Sequence, residues 1–285
     1  SAGKIMAFRK FRQLVMVEQT LFALPFAYLG VLFAGGGSVL TWVWVTVAFA
    51  AARIAGMSFN RVIDADIDAK NPRTSGRLIP KGEVKRLNVW LLAIASSLVL
   101  IGASYMLNML CFYLSFAAVI LLFVYSYWKR FSSSSHFCLG MVEATAPIGG
   151  YLAVTGQFSL SSVILGFVIM MWITGLDIVY AMQDVDFDKK ERLHSLPVFL
   201  GRKRALTVST ACYVLAMCAL VWAGLLKANI TFPYWIALAG VGMIFVYQQK
   251  LARSDHFTIV TKKIFRANLY VAAMLFLGTA TSFIF

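Results

Sequence analysis

Two carboxylate clusters stand at the ends of apolar segments in a chain otherwise nearly free of acids. Asn60, Asp64, Asp66 and Asp68 lie in SFNRVIDADIDAKNPRTSGR, and Asp184, Asp186 and Asp188 lie in YAMQDVDFDKKERLHSLP. Together they hold six of the 12 Asp and Glu residues of a chain whose formal net charge is +14. Asp64 and Asp68, like Asp184 and Asp188, recur at a helical spacing that sets each pair on one face. Asn60 extends the first face by a turn. Helix C-termini carry partial negative charge, so carboxylates gathered there call for cations. Mg²⁺ takes oxygen ligands, usually one or two carboxylates with phosphate oxygens and water completing its shell. The pattern therefore predicts two Mg²⁺ ions, one held by Asn60, Asp64 and Asp68 and the other by Asp184 and Asp188. Such ions would bridge a diphosphate and neutralise the charge that develops on it as a leaving group.

Basic residues are placed to complete that task. Arg73 and Arg77 follow the first cluster, and Lys129 closes YSYWK one turn beyond Tyr125. Arginine suits bidentate phosphate contact and lysine a point-charge contact. Arg53, about two turns before Asn60, and Asp177, likewise before Asp184, lie deeper in apolar segments. An ionised side chain there is expected to face a cavity or a partner. Arg53 is expected to bind the diphosphate or orient an acidic second substrate, and Asp177 to steer a hydroxyl or pair with Arg53. A single Asp at a solvated helix end needs no function, but two clusters on one side of an acid-poor chain do. Glu143 reads as a buried hydrogen-bonding group, and His194 and Ser195 as capping or loop residues. Glu18 takes no assignment.

The elements that must hold these residues are membrane helices. The chain is 60% hydrophobic and 13% charged, with a mean hydropathy of +0.78, which excludes an ordinary soluble domain. Nine apolar stretches are long enough to cross a bilayer, near 13–34, 39–59, 89–108, 109–128, 137–155, 160–182, 205–226, 231–249 and 264–285. The third and fourth divide at Asn108, because together they are twice a span. All but Arg53 and Lys227 of the 26 basic residues then fall in the N-terminal arm, in loops on one side or, for Arg266, at the edge of a span on that same side. The positive-inside rule makes that side cytoplasmic, with the N-terminus inside and the C-terminus outside. Both clusters open long loops on that same side, 60–88 and 183–204, which echo each other as acids, then bases, then Leu78-Ile79-Pro80 and Leu196-Pro197. The expected fold is a single all-α polytopic domain over 1–285. Nine transmembrane helices would surround a central cavity, with a cytoplasmic cap made by the loops after helices two and six.

The basic charge is accounted for by orientation against anionic lipid, so no nucleic-acid partner is expected, and no protein partner is inferred. The opening residues are basic and the apolar run behind them is too long for a cleavable signal peptide. Cys111, Cys138, Cys212 and Cys218 are scattered through apolar segments and read as core fillers rather than zinc ligands. His136, His194 and His256 are isolated from one another in sequence.

NRVIDADIDAKNPRTSGRLIP and DVDFDKKERLHSLPVFLG resemble the two Asp-rich signatures of the UbiA superfamily of intramembrane prenyltransferases, and YSYWK resembles that family's YxxxK signature. The resemblance spans nearly the whole chain. Arg61 departs from the NDxxD form of many members, and the NR form with NPRT looks like the quinone-biosynthesis branch, which includes 4-hydroxybenzoate and menaquinone-precursor enzymes. The resemblance implies transfer of an isoprenyl chain from a polyprenyl diphosphate to an aromatic acceptor. It implies metal-binding roles for Asn60, Asp64, Asp68, Asp184 and Asp188, diphosphate-binding roles for Arg73, Tyr125 and Lys129, and central-cavity roles for Arg53 and Asp177. It further implies an integral protein of a prokaryotic plasma membrane. A non-aromatic or tetrapyrrole acceptor is the alternative within the class, and a secondary transporter is the rival outside it. Transporter charges usually sit near mid-bilayer on interrupted helices. Here the acids gather at one face, and Pro25 and Pro147 are isolated.

Overall fold

The computed structural model describes residues 2–254 and 257–284 of the 285-residue chain. His256 and the last residue of the ninth expected span lie outside them. The described chain is all-helical. It runs α1 (Ala2–Val15), α2 (Val17–Phe33), α3 (Val39–Ile63), α4 (Ala65–Lys70), α5 (Arg86–Leu107), α6 (Met109–Trp128) and α7 (Ser135–Thr155). There follow α8 (Leu160–Ala181), α9 (Val185–Lys190), α10 (Leu196–Leu200), α11 (Arg202–Leu226), α12 (Phe232–Leu251) and α13 (Phe257–Ser282).

Among the described residues, seven helices are long and apolar enough to cross a membrane, or eight with α1 and α2 taken as one bent span. A helix stands at each of the nine expected stretches, but α12 falls short of that apolarity. Its ends carry Pro233, Tyr234 and Trp235 on one side and Gln248, Gln249 and Lys250 on the other. The first expected span, 13–34, is also not one straight helix. It bends by 51° where Met16 adopts the left-handed conformation at φ 49°, costly for a residue with a side chain. The division at Asn108 is present, and that residue caps α6 by accepting from the Cys111 N–H at 2.9 Å.

The bundle is organised around α8, the most buried of the candidate spans. Ser159 and Ser162 form a capping box at its start. Trp172, Ile169 and Leu165 at its centre are fully buried in the main core, where Phe26 meets Trp172 edge-on. α7 and α11 flank α8, and α13 returns to α2, so the last long helix closes the bundle against the first long one. Large apolar side chains such as Leu98, Ile120, Met243 and Tyr270 point outward, as lipid-facing surfaces require.

Without a strong hydrophobic force between helices in lipid, close approach comes from small residues. A side chain at Gly30 would drive into the Pro147 carbonyl, and one at Gly150 into the Ala27 carbonyl. The two glycines therefore set the spacing of α2 and α7 reciprocally. Gly150→Ala is expected to destabilise the protein by about 2 kcal/mol or more, the scale of overpacking against rigid backbone. Thermal unfolding in detergent checks this, and an unchanged midpoint would rule out a tight contact.

Candidate active site

Both Asp-rich segments break their helices at the first aspartate. α3 ends at Ile63 and Asp64 stands between it and α4, while a short 3-10 turn ending at Asp184 separates α8 from α9. The continuous helical face expected through Asn60, Asp64 and Asp68 is therefore a jointed one. Backbone bonds still run from Asp64 N–H to Asn60 O at 3.0 Å and from Asp68 N–H to Asp64 O at 2.8 Å. The joint thus keeps the fourfold register, and Asn60, Asp64 and Asp68 all remain on the cavity side. Asp66 and Asp186 fall on the outer side. Both are exposed, and Asp66 pairs with Arg86.

A cavity of about 620 Å³ lies between the two segments. Asn60, Asp64, Asp68, Arg73, Arg77, Tyr125, Lys129, Asp177 and Asp184 all line it. Residues far apart in sequence are thus brought to one site by α3, α6 and α8 and the loops that follow α3 and α8. Two expected members are placed differently. Asp188 is fully buried in the wall against Lys129, outside the lining, although Asp68 at the matching place in α4 lines it. Arg53 does not reach the lining either. Its guanidinium pairs with Glu143 of α7 at 2.6 Å, so the anticipated Arg53–Asp177 pair does not form. A carboxylate from α7 meets the guanidinium, which suits a charge that must be neutralised within the bundle.

Asp177 is partnered by His136 instead, with Nδ1 2.6 Å from its carboxylate. The other ring nitrogen, Nε2, lies 3.1 Å from the backbone N–H of Leu196. A backbone N–H only donates, so Nε2 accepts and the ring proton rides on Nδ1, aimed at Asp177. His136 is itself buried, whereas Asp177 opens to the cavity. The dyad therefore holds a carboxylate in place while anchoring the start of α10.

Each remaining aspartate has its own cation. Arg73 grips Asp184 through two bonds, Nε at 2.9 Å and Nη2 at 2.6 Å, and Asn71 donates to the same carboxylate at 3.2 Å. Arg77 reaches Asp68 at 2.5 Å and Lys129 reaches Asp188 at 2.8 Å. Arg130 contacts Asp64 at 3.3 Å, and Asn60 donates to the other Asp64 oxygen at 3.1 Å. Burial pushes the Asp64 carboxyl above its ordinary range, with the Arg130 contact opposing the shift. The hydrogen-bonded Asp184 carboxylate holds the Arg73 guanidinium above its own value. The second-cluster loop is tied to α6 by the bond from His194 N–H to the Lys129 carbonyl at 2.9 Å.

These pairs bear on metal binding. Among the described residues no three acidic, histidine or cysteine side chains converge as a ligand set. Magnesium uses one or two carboxylates and draws its other ligands from phosphate and water. Hard carboxylate oxygens from two segments around one polar cavity suit ions that arrive with a diphosphate.

Several lining residues escaped the sequence reading: Arg130, Asn71, His136, Tyr180, and Thr261, Lys262, Phe265 and Arg266 of α13. Arg130 and Asn71 adjoin residues already singled out, so proximity was a usable signal. His136 carried none, since its partner lies 41 residues away.

Residues 23–277 match the UbiA prenyltransferase family. The 4-hydroxybenzoate octaprenyltransferase of Serratia proteamaculans (strain 568) is 30% identical over 270 residues, covering 95% of this chain and 90% of that protein. Its counterpart in Citrobacter koseri is 32% identical over 251 residues, covering 85% of this chain and 84% of that one. Among solved structures, the apo UbiA homolog from Aeropyrum pernix K1 shares the fold at a TM-score of 0.84 and 29% identity, covering 93% of this chain and 98% of its own. A UbiA homolog from Archaeoglobus fulgidus, solved bound to GPP and Mg²⁺, shares the fold at a TM-score of 0.69 and 18% identity, covering 97% of this chain and 100% of its own. By a match spanning most of its length and an all-α fold shared nearly end to end, this chain belongs to the UbiA prenyltransferase family.

Proposed function

We propose that this protein transfers a prenyl chain from a polyprenyl diphosphate to an aromatic acceptor of the 4-hydroxybenzoate type, within the membrane. The observation that carries this reading is one cavity lined from both Asp-rich segments, with a cation on each of Asp64, Asp68 and Asp184 and the rings of Tyr125, Tyr180 and Phe265 in the same lining. The acceptor class rests on the relatives named 4-hydroxybenzoate octaprenyltransferase.

In the proposed reaction Arg73, Arg77 and Lys129 turn from their aspartates to the diphosphate oxygens, and Tyr125 borders the same region. Asn60, Asp64, Asp68 and Asp184 would hold two Mg²⁺ ions, with Asp188 joining once Lys129 moves onto the diphosphate. Bound magnesium would neutralise the charge that builds on the leaving diphosphate. The allylic C–O bond breaks and leaves a prenyl cation, which the aromatic rings stabilise and shield from water. Asp177, oriented by His136, accepts the hydrogen bond of the acceptor hydroxyl and raises electron density on the neighbouring ring carbon. That carbon attacks the cation, and the ring proton passes to water to restore aromaticity.

The basic loops support a cytoplasmic site with the N-terminus inside, in a prokaryotic plasma membrane, with α12 as the remaining span of a nine-helix topology. The short helices α4, α9 and α10 support a cap made from the loops after the second and sixth spans. The test is an activity screen of purified protein in lipid, with Mg²⁺, prenyl diphosphates of several lengths, and 4-hydroxybenzoate beside tetrapyrrole and glycerol-phosphate acceptors. Prenylated 4-hydroxybenzoate is the expected product. Its absence together with turnover of another acceptor would reassign the acceptor class.

A further inference from the structure

Lys262 and Arg266 stand one turn apart on α13, within a candidate span covering Val260–Ser282, and both line the cavity. Their neighbour Lys263 does not. By sequence all three read only as charges that orient the chain. A cation inside a span is costly unless it meets a partner, water or a cavity, and among the described residues neither Lys262 nor Arg266 has a carboxylate partner. The other cavity cations are all committed: Arg73 to Asp184, Arg77 to Asp68, Lys129 to Asp188 and Arg130 to Asp64. Each of those must give up a pair before it can take a phosphate oxygen. Lys262 and Arg266 need give up nothing.

We infer that Lys262 and Arg266 form an anion-capture subsite for the prenyl diphosphate, engaging its phosphates before the aspartates exchange their cations for metal. This rests on the reading of the cavity as a prenyl diphosphate site. The pair supplies one point charge and one planar fork from the same helix face, a combination suited to two linked phosphates. Phe265 lies between them in sequence, lines the same cavity, and meets Phe22 of α2 with ring centroids 5.7 Å apart. It sets an apolar surface beside the charges, as the first carbons of a prenyl chain require.

The test measures equilibrium binding of geranyl diphosphate to the full-length protein in detergent with EDTA, so that no metal contributes. Wild type is expected to bind, with affinity that falls as salt rises. The double variant Lys262→Gln/Arg266→Gln is expected to bind at least about tenfold more weakly, the scale of one lost charge-assisted hydrogen bond. The charge-keeping Lys262→Arg/Arg266→Lys protein retains most of the affinity. With Mg²⁺ and both substrates, the loss should fall on KM for the prenyl diphosphate rather than on KM for the acceptor. Equal metal-free affinity in wild type and the Gln double variant overturns the capture role, and so does a KM change confined to the acceptor. If wild type forms prenylated product while the variant binds unchanged, only the capture role fails. If wild type forms no product with any prenyl diphosphate and binds none, the functional reading fails with it.

Discussion

Asp184→Asn is expected to lower Mg²⁺-dependent prenyl transfer by about 10²- to 10³-fold, the usual cost of removing one charge-stabilising group from a preorganised site. The substitution keeps the side chain's shape, and its remaining oxygen can still accept from Arg73 or Asn71. What it removes is the negative charge that fixes the guanidinium and that a magnesium ion would need. Asp64→Asn should cause a loss of the same order, because Asp64 lines the same cavity from the other segment. Turnover at saturating substrate, with thermal unfolding of each variant alongside, separates lost chemistry from lost fold. Full Mg²⁺-dependent turnover in either variant would remove the two-cluster mechanism.

The second large effect is on stability. Asp188 is fully buried, and its cation Lys129 lies 2.8 Å away with a side chain 39% exposed. Removing one partner of a buried ion pair typically costs about 3–5 kcal/mol, because the other charge is left uncompensated. Lys129 is partly solvated, so Lys129→Met should destabilise the protein by somewhat less, roughly 2–3 kcal/mol. Adding Asp188→Asn removes the stranded charge, and the double variant should recover most of that stability without recovering activity. The backbone bond from His194 to the Lys129 carbonyl is untouched by either change. Chemical or thermal unfolding of the two single variants and the double one gives the coupling directly. Strictly additive effects would show that the pair is not a unit.

Two charges within apolar helices, Arg53 and Asp177, mark the limit of what the linear chain reveals. Each was expected to face a cavity or a partner, since an ionised group in an apolar segment demands one or the other. The need was legible, but the identity of the partner was not. Glu143 and His136 lie 90 and 41 residues away in sequence from the charges they meet. The rotation of α7 against α3 and α8 selects them. The same holds for Lys262 and Arg266. Loop counting grouped them with the bases of one side, yet they stand on α13 inside a candidate span, and only the return of α13 to α2 turns them into the cavity and leaves Lys263 outside it.

By itself the sequence determined that this is an all-helical membrane protein, that Asn108 divides two long apolar runs, and that the two aspartate clusters open long loops of one kind. Hydropathy, helical spacing and the distribution of bases are properties of short stretches, and they survive folding almost unchanged. The tertiary structure decided that Asp64 and Asp184 are joints between helices, that Asp188 lies in the wall, and which base holds which acid. These outcomes depend on how helices rotate and cross when packed. Asp68 and Asp188 hold the same place one turn past their joints, yet packing leaves the first in the cavity lining and the second in the wall.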